Sequence, residues 1–152
     1  MINKFIKWAK TNGWNIVLAQ GKKDLPPAIK QRYDIPDQWY DFICNFEVCE
    51  NRTATKWFLT PNDYMPQKDA FQWNEFEIQS LEFTENSSSV IKYWDTCFPI
   101  VLCVDGEYSY YAVNTENGNV VYGSEPEYEE ATVIAKDFIT FIHKVISGDI
   151  VL

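Results

Sequence analysis

The sequence predicts an α+β domain, an antiparallel β-sheet with a meander core packed by N-terminal helices and a C-terminal helix. Three observations carry that prediction. Between Phe98 and Tyr122 two hairpin signals, Asp105-Gly106 and Asn117-Gly118, separate β-rich apolar runs. Between Ile2 and Phe46 apolar residues recur at helical spacing in three short stretches, and between Lys136 and Ile146 they do so again. No repeat, low-complexity tract or linker divides residues 1–152, so the chain reads as a single domain, and 152 residues suffice for a core without staples.

The meander sets what the rest of the chain must cover. Ile100 to Val104 is too continuously apolar to have a solvated face and reads as an interior strand. Asp105-Gly106 supplies the turn, and Glu107 to Val113 returns as a strand rich in tyrosine. The loop Thr115 to Asn119 reverses the chain again into Val120 to Tyr122. A meander needs packing on its apolar surface to be stable.

In chain order, Ile2, Phe5, Ile6 and Ala9 form the stripe of a helix from Ile2 to Lys10 that Asn12-Gly13 ends. Trp14 to Ala19 suits a short edge strand. Pro26-Pro27 opens a helix over about Ala28 to Tyr33, and Pro36 opens a third whose apolar face is Trp39, Tyr40, Phe42, Ile43 and Phe46. Glu47 to Thr55 reads as a polar loop, Lys56 to Leu59 as a short strand, and Thr60 to Tyr64 as a helical turn capped by Thr60. From Pro66 to Glu85 the apolar residues alternate as well as they recur helically, so no element type is assigned. Asn86 to Ser89 is a turn or cap before one or two helical turns at Val90, Ile91 and Trp94. After the acidic loop Gly123 to Glu130, Thr132 to Ala135 suits a last strand or a connector, and Lys136 to Ile146 is a helix ended by Ser147-Gly148.

Composition bounds the function. At 46% hydrophobic and 16% aromatic the chain has apolar mass to bury and does not read as disordered. Charge interrupts the first ten residues at every third position, so no signal-peptide block is legible, no run reaches membrane-spanning length, and a cytoplasmic location is expected. The formal charge of -9 is uneven: residues 98–152 hold nine acids against two lysines, and residues 1–97 thirteen acids against eleven bases. Such a surface repels phosphate, so direct nucleic-acid and anionic-membrane binding are not expected, whereas a basic partner is steered toward it.

The inventory gives little to catalysis. His143 is the only histidine and sits in the last turn of the final helix, where it complements the negative helix end. The six glycines are too scattered for a phosphate loop. Cys44, Cys49, Cys97 and Cys103 are spaced too widely for a zinc knuckle and read as buried thiols, reduced in the cytoplasm. Carboxylate pairs abound, yet Trp39, Trp57 and Trp94 lie in apolar stripes or runs rather than along a sugar-stacking cleft. No catalytic, metal or cofactor residues are assigned. What is left is a surface of tyrosines 108, 110, 111 and 122 beside Glu107 and the loop Glu125, Glu127, Tyr128, Glu129 and Glu130, which we expect to bind a partner protein.

Several residues carry a family likeness. Leu25-Pro26 leading a helix, Ile35-Pro36 with Trp39-Tyr40 and Phe42, and Trp57, Leu59, Pro61 and Tyr64 in that order resemble the SUKH superfamily of bacterial immunity proteins, the Smi/Knr-like domain. Phe98-Pro99-Ile100, Asp105-Gly106, Asn117-Gly118 and the closing Ala135 to Ile142 are similar to that family's sheet and terminal helix, so the likeness spans Leu25 to Ile146. The chain departs from it at Glu47 to Asn51, where many members place Asn-Gly, and in the reduced glycine content before the return strand. The resemblance implies a non-enzymatic α+β domain that binds and neutralises a cognate toxin, often a basic nuclease, inside the cell. The alternative is a protein-binding scaffold of the same fold in cell-wall or stress regulation.

Overall fold

The computed structural model describes every residue from Met1 to Leu152. Its elements run α1 (Ile2–Thr11), β1 (Asn15–Leu18), α2 (Pro27–Arg32), α3 (Asp37–Ile43), β2 (Phe46–Glu50), β3 (Lys56–Phe58), α4 (Glu75–Phe83), α5 (Ser87–Thr96), β4 (Cys97–Cys103), β5 (Ser109–Asn114), β6 (Val120–Ser124), β7 (Thr132–Ala135) and α6 (Phe138–Ser147). All seven strands join one antiparallel sheet whose spatial order is the sequence order, so the expected α+β meander extends across the whole sheet.

β4 lies in the middle of that sheet and is buried at every position, which is why its residues carry no alternation. Neighbouring residues on β5 show what covers each face. The Tyr110 ring meets Trp94 of α5 and Phe76 of α4, with centroids 5.0 and 6.0 Å away, whereas Tyr111 meets Phe141 of α6 at 5.2 Å. The sheet therefore lies between two helical layers. On the α6 side an aromatic cluster joins Phe5 of α1 to Phe58 of β3 at 5.2 Å and Phe42 of α3 to Phe138 of α6 at 5.1 Å.

Most helix ends follow the local signals. Asp137 caps α6 by accepting the Thr140 amide proton at 2.7 Å, and Gly148 closes the helix in the left-handed region at φ 85°. Asn86 caps α5, which runs ten residues rather than one or two turns. Strand β4 starts at Cys97 and includes Pro99, tolerated because the register shifts between Pro99 and Val101. The segment Thr132–Ala135 is a strand and forms one edge.

Three stretches differ from expectation. Glu47 to Glu50, read as loop, belongs to β2, which pairs with β1 across about the first third of the chain. Its polar residues conceal it: Glu47 takes Lys23 at 2.6 Å and Glu50 accepts from Asn15 at 3.1 Å, so side-chain pairing stands in for apolar alternation. Thr60 to Tyr64 is the expected turn, but Thr60 does not cap it as an acceptor: its amide and hydroxyl both donate to Asp63 Oδ2. The unassigned stretch 66–85 ends in α4, a helix facing the wrong way for its composition. Its buried residues are Phe76, Glu77 and Ser80, while Ile78, Leu81 and Phe83 are exposed. Burial of Glu77 is offset by Arg32 of α2, which donates to both carboxylate oxygens at 2.6 and 3.0 Å, and Ser80 bonds back to the Phe76 carbonyl.

Candidate partner-binding surface

Glu107 and Glu125 meet at one end of the central strands, but the predicted surface residues do not share one face: Glu107 lines a depression with Lys56, Tyr111 and Tyr122 on the α6 side, and Glu129 lines another with Lys92 and Tyr93 of α5. β5 and β6 pair in register from Val113↔Val120 to Ser109↔Ser124, and the ladder continues one step further. There the Glu125 amide donates to the Tyr108 carbonyl at 2.9 Å, and the Tyr108 amide donates to the Glu125 carboxylate at 2.8 Å. Glu107, in the β4–β5 turn, is thereby held beside the start of the acidic loop. Glu125 spends its carboxylate on the backbone, which leaves Glu107, Glu127, Glu129 and Glu130 as the outward charges. Glu107, Glu127 and Glu130 are exposed and Glu129 is half-buried.

Tyr128 belongs to the core, which corrects its expected place among the contact residues. Only 3% of it is exposed. Its ring stacks on Phe76 at 4.7 Å with 13° between planes, and its hydroxyl donates to Gln79 of α4 at 2.9 Å. Its carbonyl accepts the Tyr110 hydroxyl proton, so the adjoining Tyr93 hydroxyl must donate to Tyr110. Burial pushes the Tyr128 phenol up to about 12, and it stays protonated as a donor. Tyr110 and Tyr111 are likewise buried, on opposite faces, while Tyr108 and Tyr122 are half-buried. Tyr110 and Tyr128 thus fix the acidic loop in position rather than decorating its surface.

Gly123 makes this anchor possible. It faces Tyr110 across the ladder, and a Cβ there would stand 2.5 Å from the Tyr110 oxygen. The Tyr110 ring occupies that space.

The outward carboxylates have no cation of their own. The four ion pairs of the molecule are Lys23–Glu47, Lys30–Asp24, Arg32–Glu77 and Arg32–Asp95, all outside this region. Lys92 of α5 lines a shallow depression with Glu129, Tyr93 and Ser89 but makes no ion pair with the glutamate. An unpaired negative rim on a rigid support attracts and orients a basic macromolecule.

Other groups with chemical potential lie elsewhere. His143 is exposed on α6. The cysteines are free thiols, and burial pushes Cys103 up to about 11 and raises Cys44, Cys49 and Cys97 as well, so they are protonated at neutral pH. A depression of about 580 Å³ opens between α1, α3 and the segment after β1, lined by Ile6, Leu18, Lys22, Asp41 and Cys44 among others. It does not include the acidic loop. No helix is long and apolar enough to cross a membrane.

No protein-family model, curated protein or solved structure matches the chain. Sequence reading missed that α4 packs on the acidic loop through Phe76 and Gln79 while Ile78, Leu81 and Phe83 stay exposed. The available signal was the run Phe76, Ile78, Leu81, Phe83, which fits a strand as well as a helix until Glu77 is known to be buried.

Proposed function

We propose that this chain is an immunity protein that binds and neutralises a cognate, basic protein toxin of the nuclease type, acting by occlusion and not by turnover. The observation that carries the reading is the set of outward carboxylates that make no internal ion pair, Glu127, Glu129 and Glu130 on a loop that Tyr128 pins into the core and Glu107 in the β4–β5 turn. A nuclease must concentrate positive potential to hold phosphate, and a preformed negative rim competes for the same field. Because the loop is already ordered, binding costs little conformational entropy. The SUKH-like order of residues from Leu25 to Ile146 supports the same role.

The test is co-expression of the chain with the product of the adjacent open reading frame. Expected are restored growth of cells poisoned by that product and a complex that survives purification. Absence of both protection and complex formation would overturn the proposal, as would turnover of any metabolite by the purified chain that one side-chain replacement abolishes.

A further inference from the structure

α4 exposes the residues a helix ordinarily buries. Phe76, Gln79 and Phe83 recur at i, i+3 and i+7 and so share one stripe. The first two carry Tyr128, by stacking and by hydrogen bond, so the stripe faces the acidic loop. Phe83 continues it past the end of the packing and is 86% exposed, the highest value among the large apolar residues. Ile78 and Leu81, 39% and 36% exposed, project from the other side of the helix and lie outside that stripe. The neighbouring Glu82 and Glu85 are exposed and unpaired, as are Glu127 and Glu130 of the loop.

We infer that this side of α4 and the acidic loop form one docking surface, in which Phe83 enters an apolar pocket of a basic protein while the loop carboxylates meet the cations around that pocket. Charge complementarity selects the occupant. The rim is negative apart from Lys92 beside Glu129, so the same face of a second copy is repelled, and so is an anionic membrane. An aromatic anchor ringed by charge matches the anatomy of a protein contact, in which a few central side chains carry most of the energy. The inference deepens the proposed function and rests on it for the partner's role, but the surface itself follows from α4 and the loop.

A phage-displayed random peptide library panned on the full chain tests it. Expected are peptides that combine lysine or arginine with aromatic or leucine side chains, bind about tenfold or more weakly to Phe83→Ser, and keep their affinity for Leu18→Ser. Leu18 is 52% exposed on the opposite edge strand, which makes it the control for nonspecific apolar adhesion. Thermal unfolding of Phe83→Ser should match the parent, since the ring is nearly free of packing. Failure to enrich basic peptides, or affinities that Phe83→Ser leaves unmoved, would overturn the inference. So would self-association of the parent in sedimentation that Phe83→Ser abolishes, because the occupant would then be a second copy, with the α1 lysines as its cations. Growth rescue retained in full by Phe83→Ser would sink the docking surface and leave the immunity role standing. Peptides captured through Phe83 by a chain that protects no cell would do the reverse.

Discussion

Gly123 and Tyr110 show how much of the acidic loop's shape rests on one cross-strand pair. The Tyr110 ring lies where a Gly123 side chain would stand, and its hydroxyl holds the Tyr128 carbonyl. Gly123→Ala therefore displaces a ring that Phe76 and Trp94 already confine. Overpacking of this kind costs about 1–3 kcal/mol, readable as a lower midpoint in denaturant unfolding. Tyr110→Phe keeps the ring and removes the proton, leaving a buried carbonyl unpaired at about 1–3 kcal/mol. Hydrogen exchange should then quicken at Glu127 to Glu130 before it does in β4, whereas equal exchange throughout would deny the anchoring role.

At the scale of elements, charge at helix ends and turns sets the acid limb of stability. Hydrogen bonds from Lys30 and Tyr40 hold Asp24 down at about 2, and the Thr140 cap holds Asp137 below its ordinary range. A carboxylate with a depressed folded pKa contributes above its unfolded value, near 3.8, and loses that contribution as pH falls through the folded value. Asp63 works the other way. Burial raises its pKa, so protonation on acidification relieves a cost and partly offsets the loss. Asp137→Ala should cost about 1 kcal/mol at neutral pH through the lost cap of α6. Asp137→Asn keeps the cap, and its stability should fall less between pH 4 and pH 2 than the parent's; parallel pH profiles would count against the cap's charge.

α2, α4 and α5 meet through Arg32, which joins Glu77 and Asp95. Arg32→Met strands Glu77, which is 8% exposed, so the variant should lose about 3–5 kcal/mol, and urea unfolding reads the loss directly. The double replacement Arg32→Met with Glu77→Leu should recover much of it, since an apolar pair satisfies the same space. If the single variant unfolds like the parent, the pair is not what keeps α4 turned inside out.

For the whole molecule the governing quantity is where the charge sits. The formal charge is -9, and the segment from residue 98 onward, which supplies all but the first residue of β4, β5 to β7 and α6, carries most of it. Glutamine at positions 127, 129 and 130 removes three outward charges without touching Tyr128 or the backbone bond of Glu125. Association with a basic partner should slow by about tenfold at low ionic strength and lose much of its salt dependence, with unfolding unchanged. Stopped-flow mixing across a salt series gives both numbers, and an unaltered rate removes the loop from the encounter.

Local chemistry alone was enough for the hairpins at Asp105-Gly106 and Asn117-Gly118, the cap of α5, the glycine stop of α6, the buried run of β4 and the uneven charge, because each depends on residues adjacent in the chain. Strand β2 and helix α4 needed the tertiary structure. Their polar residues find partners far away, Lys23 for Glu47 and Arg32 for Glu77, and so occupy places that a local pattern reserves for apolar side chains. The same distance effect hid the role of Tyr128. Its neighbours in sequence are glutamates in water, but its neighbours in space are Phe76 and Tyr110, and burial follows from the second set.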